Sequence, residues 1–102
     1  MTETFSSQLT VGGYASRSFN VAKAGAVSVT LNSAGSSSTL KVGLALGIPD
    51  FAGTGCLFTR TTETAAGGQI SASVDPGVYC VRVYDVGTLT ATINFTVTII
   101  RP

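Results

Sequence analysis

Residues 75–84, Asp75-Pro76-Gly77-Val78-Tyr79-Cys80-Val81-Arg82-Val83-Tyr84, decide the fold class. Proline presets one backbone angle and glycine permits the reversal, so Asp75-Pro76-Gly77 reads as a turn. Beyond it Tyr79, Val81 and Val83 alternate with Cys80, Arg82 and Tyr84, the period-two pattern of a strand with two unlike faces. Backward from the turn, Ile70, Ala72 and Val74 alternate in the same way. Forward from it, Ile93, Phe95, Val97 and Ile99 stand against Thr92, Asn94, Thr96 and Thr98.

The pattern extends to the N-terminal half. Leu40, Val42, Leu44, Leu46 and Ile48 share one face, with Lys41, Gly43, Ala45 and Gly47 on the other. That second face is thin enough to admit a neighbouring backbone or a covering loop. Val27, Val29 and Leu31 alternate with Ser28, Thr30 and Asn32 as a half-buried strand. Phe19 with Val21, and Phe5 with Leu9 and Val11, mark two earlier strands, and a short one is expected around Cys56 to Thr61. Gly12-Gly13, Ala24-Gly25, the Gly/Ser run 33–39, Ile48-Pro49-Asp50 and a loop from Phe51 to Gly55 separate them. Glu63 to Gly68 reads as a turn, with one helical turn over Glu63-Thr64-Ala65-Ala66 as the alternative.

About eight short, evenly spaced strands without a ten-residue helical period predict an all-β, antiparallel β-sandwich of jelly-roll-like form. An immunoglobulin-like order of the strands is the alternative topology. Residues 1–102 read as a single domain, with 1–4 as a flexible N-terminal remnant. Met1-Thr2-Glu3-Thr4 lacks the basic start and apolar segment of a signal peptide, so either the protein stays where it is made or an export signal has been removed ahead of it, and the cysteines favour removal.

Composition narrows the function classes. Of 102 residues, 44% are hydrophobic and 11% charged, which excludes a disordered chain. Six Lys and Arg against five Asp and Glu leave no basic surplus for phosphates, so no nucleic-acid partner is expected. No apolar run reaches the length of a membrane-spanning helix. With 15 Thr and 11 Ser against two Lys, the chain favours strands and turns.

Cys56 and Cys80 could be paired, metal-binding or two buried thiols. Two thiolates without any His make a poor tetrahedral site, and their spacing is not that of a CxxC redox motif. In a small β-rich chain the disulfide is the favoured reading, free cysteines being the alternative, and pairing would imply an oxidising compartment.

Two stretches carry a family resemblance. Residues 75–85, followed by Gly87 and the Thr-rich last strand, resemble the C-terminal half of bacterial pre-peptidase C-terminal domains. Residues 18–31, Ser18-Phe19-Asn20-Val21-Ala22-Lys23-Ala24-Gly25-Ala26-Val27-Ser28-Val29-Thr30-Leu31, resemble their opening. The resemblance implies an eight-stranded jelly-roll-like sandwich: a secreted or cell-surface module appended to enzymes or carried on small lipoproteins. Some relatives bind collagen or polysaccharide, and some bind calcium. Where many members read Asp-x-Asp-Leu, this chain reads Thr39-Leu40-Lys41-Val42-Gly43-Leu44, without a carboxylate, so calcium is not carried over.

With no His, a Ser-His-Asp or Cys-His arrangement is impossible. Lys23 and Lys41 stand outside any recognisable Ser-Lys motif, and Asp50 and Asp75 have turn roles. Gly53-Thr54-Gly55 lacks the lysine and helix of a phosphate-binding loop. Catalysis, metal and cofactor are therefore not expected. The candidate ligand-binding surface is Arg82, Tyr84 and Asp85. If Val81 and Val83 face the core, then Cys80, Arg82 and Tyr84 face outward together, and an Arg beside a Tyr can hydrogen-bond and stack. The alternative is that Arg82 pairs with an acid while Tyr84 merely covers the sheet. Phe51 and Phe58 read as ligand-facing aromatics or as closing the end of the sandwich.

The expected function is a non-catalytic secreted, cell-surface or periplasmic module that binds a polysaccharide or protein ligand. The missing Trp weakens the carbohydrate version. The alternative is a structural or assembly protein, a fibre, surface-layer or virion component, self-associating through edge strands. The last strand, Ile93 to Ile100, is the expected exposed edge.

Overall fold

The computed structural model describes residues 2–35, 39–49 and 56–102. Eight strands follow one another: β1 (Thr2–Leu9), β2 (Tyr14–Val21), β3 (Gly25–Ala34), β4 (Val42–Pro49), β5 (Cys56–Thr64), β6 (Gln69–Val74), β7 (Gly77–Tyr84) and β8 (Ile93–Ile100). Sheet one has the order β1-β8-β3-β6, and sheet two the order β2-β7-β4-β5. All pairs are antiparallel. First pairs with last, second with seventh, third with sixth, and fourth with fifth, as in one long hairpin folded over. The hairpin then rolls, so that β8 also pairs with β3 and β7 with β4. That nesting is a jelly roll, and it sets aside the immunoglobulin-like order.

The alternation in the sequence becomes the two faces of each sheet. Val27, Val29 and Leu31 of β3 meet Val42, Leu44 and Leu46 of β4 in one core with Val81, Val83, Phe95, Val97 and Ile99. Phe5 and Phe95 close edge to face at 5.2 Å, the geometry their ring quadrupoles favour. Among the described residues no polar or charged side chain is buried, so burial of apolar surface dominates the stability of this core.

Several boundaries differ from expectation. Residues 2–4 are not a loose remnant: Thr2, Glu3 and Thr4 pair with Ile100, Ile99 and Thr98. Glu3 faces inward at the sheet edge, where Arg17 Nε meets its Oε2 at 2.7 Å and Arg101 Nη2 its Oε1 at 3.2 Å. Those partners hold the N-terminal end of β1 against β2. β1 ends at Leu9, and Val11 is exposed in the turn that follows. β3 runs on to Ala34 through a register shift between Leu31 and Ser33. Residues 63–66 form no helix; β5 continues to Thr64 and a turn follows at Ala66-Gly67. The last strand is not an edge either. β8 lies between β1 and β3, because the roll that pairs first with last also brings β8 onto β3.

Leu44 and Ile48 share the inward phase of β4, yet Leu44 is 0% exposed and Ile48 48%. Leu44→Ala is expected to cost about 2–5 kcal/mol in urea unfolding, and Ile48→Ala under about 1 kcal/mol. Equal losses at the two positions would contradict this account of where the core ends.

Candidate functional site

The outer face of sheet two is built on a strand that cannot cover itself. β4 presents Gly43, Ala45 and Gly47 outward, and all three are buried. Tyr84 of β7 stands opposite Gly43, and a Cβ on Gly43 would fall inside the Tyr84 ring. At Gly47 a Cβ would collide with the Leu57 carbonyl of β5, which approaches where the β4–β5 register shifts. The small residues are therefore what allows neighbouring groups to lie flat over β4.

Over that floor stands a row of flat side chains. Tyr84 and Phe58 stack at 5.8 Å with an interplanar angle of 13°. The guanidinium of Arg82 lies 4.0 Å from the centre of the Tyr14 ring and 5.5 Å from that of Phe58. Arg82 Nε donates to Ser16 Oγ at 2.9 Å, which fixes the direction of the fork. Ser16 stands opposite Arg82 in the β2–β7 register, and Tyr14 opposite Tyr84. Among the described residues no carboxylate lies within ion-pair distance of Arg82. Tyr14 is 59% exposed and Phe58 42%, with Val78 also exposed on the same face. No cavity opens among the described residues, so this is a surface and not a pocket.

At one end of the face Cys56 and Cys80 form a disulfide between β5 and β7. Cys80 faces outward as its register requires, yet it is only 2% exposed and Cys56 8%. The pair is a staple set into the outer face.

Asp85 belongs to a different structure. Its Oδ2 accepts the Gly12 N–H at 2.7 Å, and its Oδ1 accepts those of Gly87, Thr88 and Leu89 at 2.8, 3.1 and 3.2 Å. Asp85 N–H in turn donates to the Gly13 carbonyl at 3.0 Å. The carboxylate thus pins the β1–β2 turn to the chain leaving β7. The Gly12 amide holds its pKa below the usual carboxylate range, against partial desolvation, with Gly87, Leu89 and Thr88 adding to the effect.

Of the three predicted surface residues, Arg82 and Tyr84 share one face, and the Asp85 carboxylate is turned to backbone amides. Phe58 does not close the end of the sandwich; it lies on the outer face against Tyr84. Phe51, Asp50 and residues 53–55 lie outside the described residues. Sequence reading missed Tyr14 and Ser16. The alternation of Tyr14, Ser16 and Ser18 with Ala15, Arg17 and Phe19 was available as a signal, but only the register brings them to Arg82. Among the described residues no group of three or more acidic or cysteine side chains could hold a metal ion.

No family model matches the sequence, and no curated protein is significantly similar to it. Solved structures share its fold. A mitogen derived from Yersinia pseudotuberculosis superposes with a TM-score of 0.69 at 11% identity, covering 100% of this chain and 86% of that one. A periplasmic inhibitor of g-type lysozyme from Aeromonas hydrophila gives 0.60 at 15%, covering 96% and 83%. The pre-peptidase C-terminal domain of a Bacillus anthracis collagenase gives 0.60 at 17%, covering 97% and 87%. The chain is thus a jelly-roll β-sandwich with the fold of pre-peptidase C-terminal domains, as its two sequence stretches implied. At these identities the likeness establishes the fold.

Two outcomes follow for the site. Replacing both cysteines by alanine opens a loop of about 25 residues and should lower stability by about 3.5 kcal/mol in the chain-entropy account; reduced wild type should unfold at a similar denaturant midpoint. For Asp85 the folded pKa is depressed, so its contribution is present above the ordinary carboxyl pKa and is lost as pH falls through the folded value. Asp85→Asn should therefore unfold at a lower temperature than wild type at neutral pH, with the gap narrowing below about pH 4. A gap that persisted unchanged in acid would sink the carboxylate explanation.

Proposed function

We infer that this chain is an exported, non-catalytic binding module that engages a protein partner through the outer face of sheet two, centred on Arg82. The observation that carries the reading is the arginine itself. It is oriented by Ser16 and clamped between Tyr14 and Phe58, without a carboxylate among the described residues to neutralise it. Arg, Tyr and Phe with exposed aliphatic neighbours make up the centre of protein interfaces, where Lys and Glu are depleted. Orientation before contact lowers the entropy lost on binding.

A sugar platform needs open aromatic faces. Here Phe58 and Tyr84 stack on one another and Tyr14 lies against the guanidinium, so one face of each ring is taken, although Tyr14 and Phe58 remain exposed. The chain also has no Trp. These features favour a protein over a polysaccharide. The disulfide supports an oxidising compartment, the cell exterior or the periplasm. A mitogen, a lysozyme inhibitor and the pre-peptidase C-terminal domain of a collagenase share the fold, so the fold leaves the partner open.

The test presents immobilised wild type and variants to externally located proteins of the source organism and its surroundings, and separately to insoluble polysaccharides. Wild type should retain a discrete protein. Arg82→Ala should weaken that retention about thirtyfold, the loss of roughly 2 kcal/mol expected of an interface centre. Thr4→Ala, on the outer face of sheet one, should leave it unchanged. Retention by polysaccharide alone, or an Arg82→Ala variant that binds like wild type, would overturn the reading.

A further inference from the structure

Each sheet ends in two edge strands, and the four edges are not protected alike. An edge strand offers unpaired backbone groups to another chain, and proteins guard it with charges, inward-facing ones included, with proline or with a bulge. β1 carries inward-facing Glu3 and β2 carries Arg17, and these two charges pair across the gap between the sheets. β5 carries Arg60 and Glu63 and is interrupted by the register shift opposite Leu46 and Gly47. β6, Gln69-Ile70-Ser71-Ala72-Ser73-Val74, has no charge and no proline, and pairs with β3 through six consecutive positions without a shift. It is six residues long, the common length of a strand, so shortness does not protect it either.

We propose that β6 is a pairing edge for a second copy of this chain, joining two four-stranded sheets one into a continuous eight-stranded sheet about a two-fold axis. An axis perpendicular to the sheet places residues of the same face opposite one another, so the two residue numbers of each pair sum to an even number. The register centred on Ala72 opposes it to Ala72 of the second copy. Ser71 then faces Ser73 of the second copy, and Ile70 faces Val74. On the inner face, half-buried Ala72 and Val74 gain apolar neighbours, and on the outer face exposed Ser71 and Ser73 meet small hydroxyls. No like charges meet within the strand pair. At its ends Gln69, an amide donor, stands opposite Asp75 of the second copy, an acceptor. The sequence of β6 is thus self-complementary in polarity, side-chain size and charge, which is the requirement for an isologous contact.

So few pairs make a contact smaller than standard protein interfaces, so the association is weak and concentration-dependent, in roughly the micromolar to millimolar range. It uses backbone groups of β6 in sheet one, whereas Arg82 stands on the outer face of sheet two.

Light scattering after size exclusion, over about a hundredfold concentration range, reads the mass directly. Wild type should rise from the 10.3 kDa of one chain towards twice that mass. In Ser71→Lys/Ser73→Lys, two like-charge pairs would face each other, and association should need roughly tenfold more protein or disappear. Ser71→Glu/Ser73→Glu should behave the same way, and it answers the question if the lysine variant does not fold. An equimolar mixture of the two folded variants should recover the dimer, because opposite charges then meet in the stated register. Wild type that stays a monomer throughout, or either folded variant dimerising as wild type does, would overturn the proposal. Two monomeric variants that fail to associate when mixed would overturn the register and with it the two-fold β6 contact.

Discussion

Gly43, Ala45 and Gly47 present almost no side chain on the outer face of β4, so other groups must keep water off that strand. β4 is central to sheet two, and its inward residues Val42, Leu44 and Leu46 already lie in the core. Burial on both faces explains why its sequence is apolar without interruption, as in strands covered on two sides. The outer cover comes from neighbours: Tyr84 over Gly43, Phe58 against Tyr84, and the disulfide towards the Gly47 end. The small side chains of β4 and the large flat ones of β5 and β7 are one packing solution read from two sides. Enlarging the first would displace the second.

Charges in this chain are few, and Glu3, Arg17, Arg101 and Asp85 have identifiable structural work. Glu3 bridges Arg17 and Arg101 at the closed side of the sandwich, and the Asp85 carboxylate gathers four backbone amides from two segments. Glu3 gains its partners only when separate segments meet, while Asp85 adds the distant Gly12 amide to three local ones. Arg82 is different. Its charge is oriented by stacking and by a serine hydroxyl, with no acid among the described residues within ion-pair distance, which places positive potential among the aromatic rings of that face.

The jelly roll itself does little to select a function. A mitogen, a lysozyme inhibitor and a collagenase's pre-peptidase C-terminal domain have folds close to this one at identities between 11% and 17%. Specificity on such a scaffold belongs to its exposed faces and edges.

How much was legible beforehand differs residue by residue. Period-two alternation alone separated Val81 and Val83 from Arg82 and Tyr84, because successive strand side chains point to opposite faces whatever the partner strand. For the same reason the strand count and the core residues of β3, β4, β7 and β8 could be read locally. The edge status of β8 could not: an apolar-and-threonine strand looks the same at an edge or between two neighbours, and only the roll placed it between β1 and β3. Thr2 to Thr4 looked loose because the partners of Glu3, Arg17 and Arg101, lie far along the chain. Tyr14 and Ser16 reach Arg82 for a similarly non-local reason, since antiparallel register is set by turns and packing elsewhere. The sequence by itself determined which residues face in and which face out, a local consequence of backbone geometry. Only the tertiary structure decided which outward residues meet, because strand order and register depend on contacts between segments far apart in the chain.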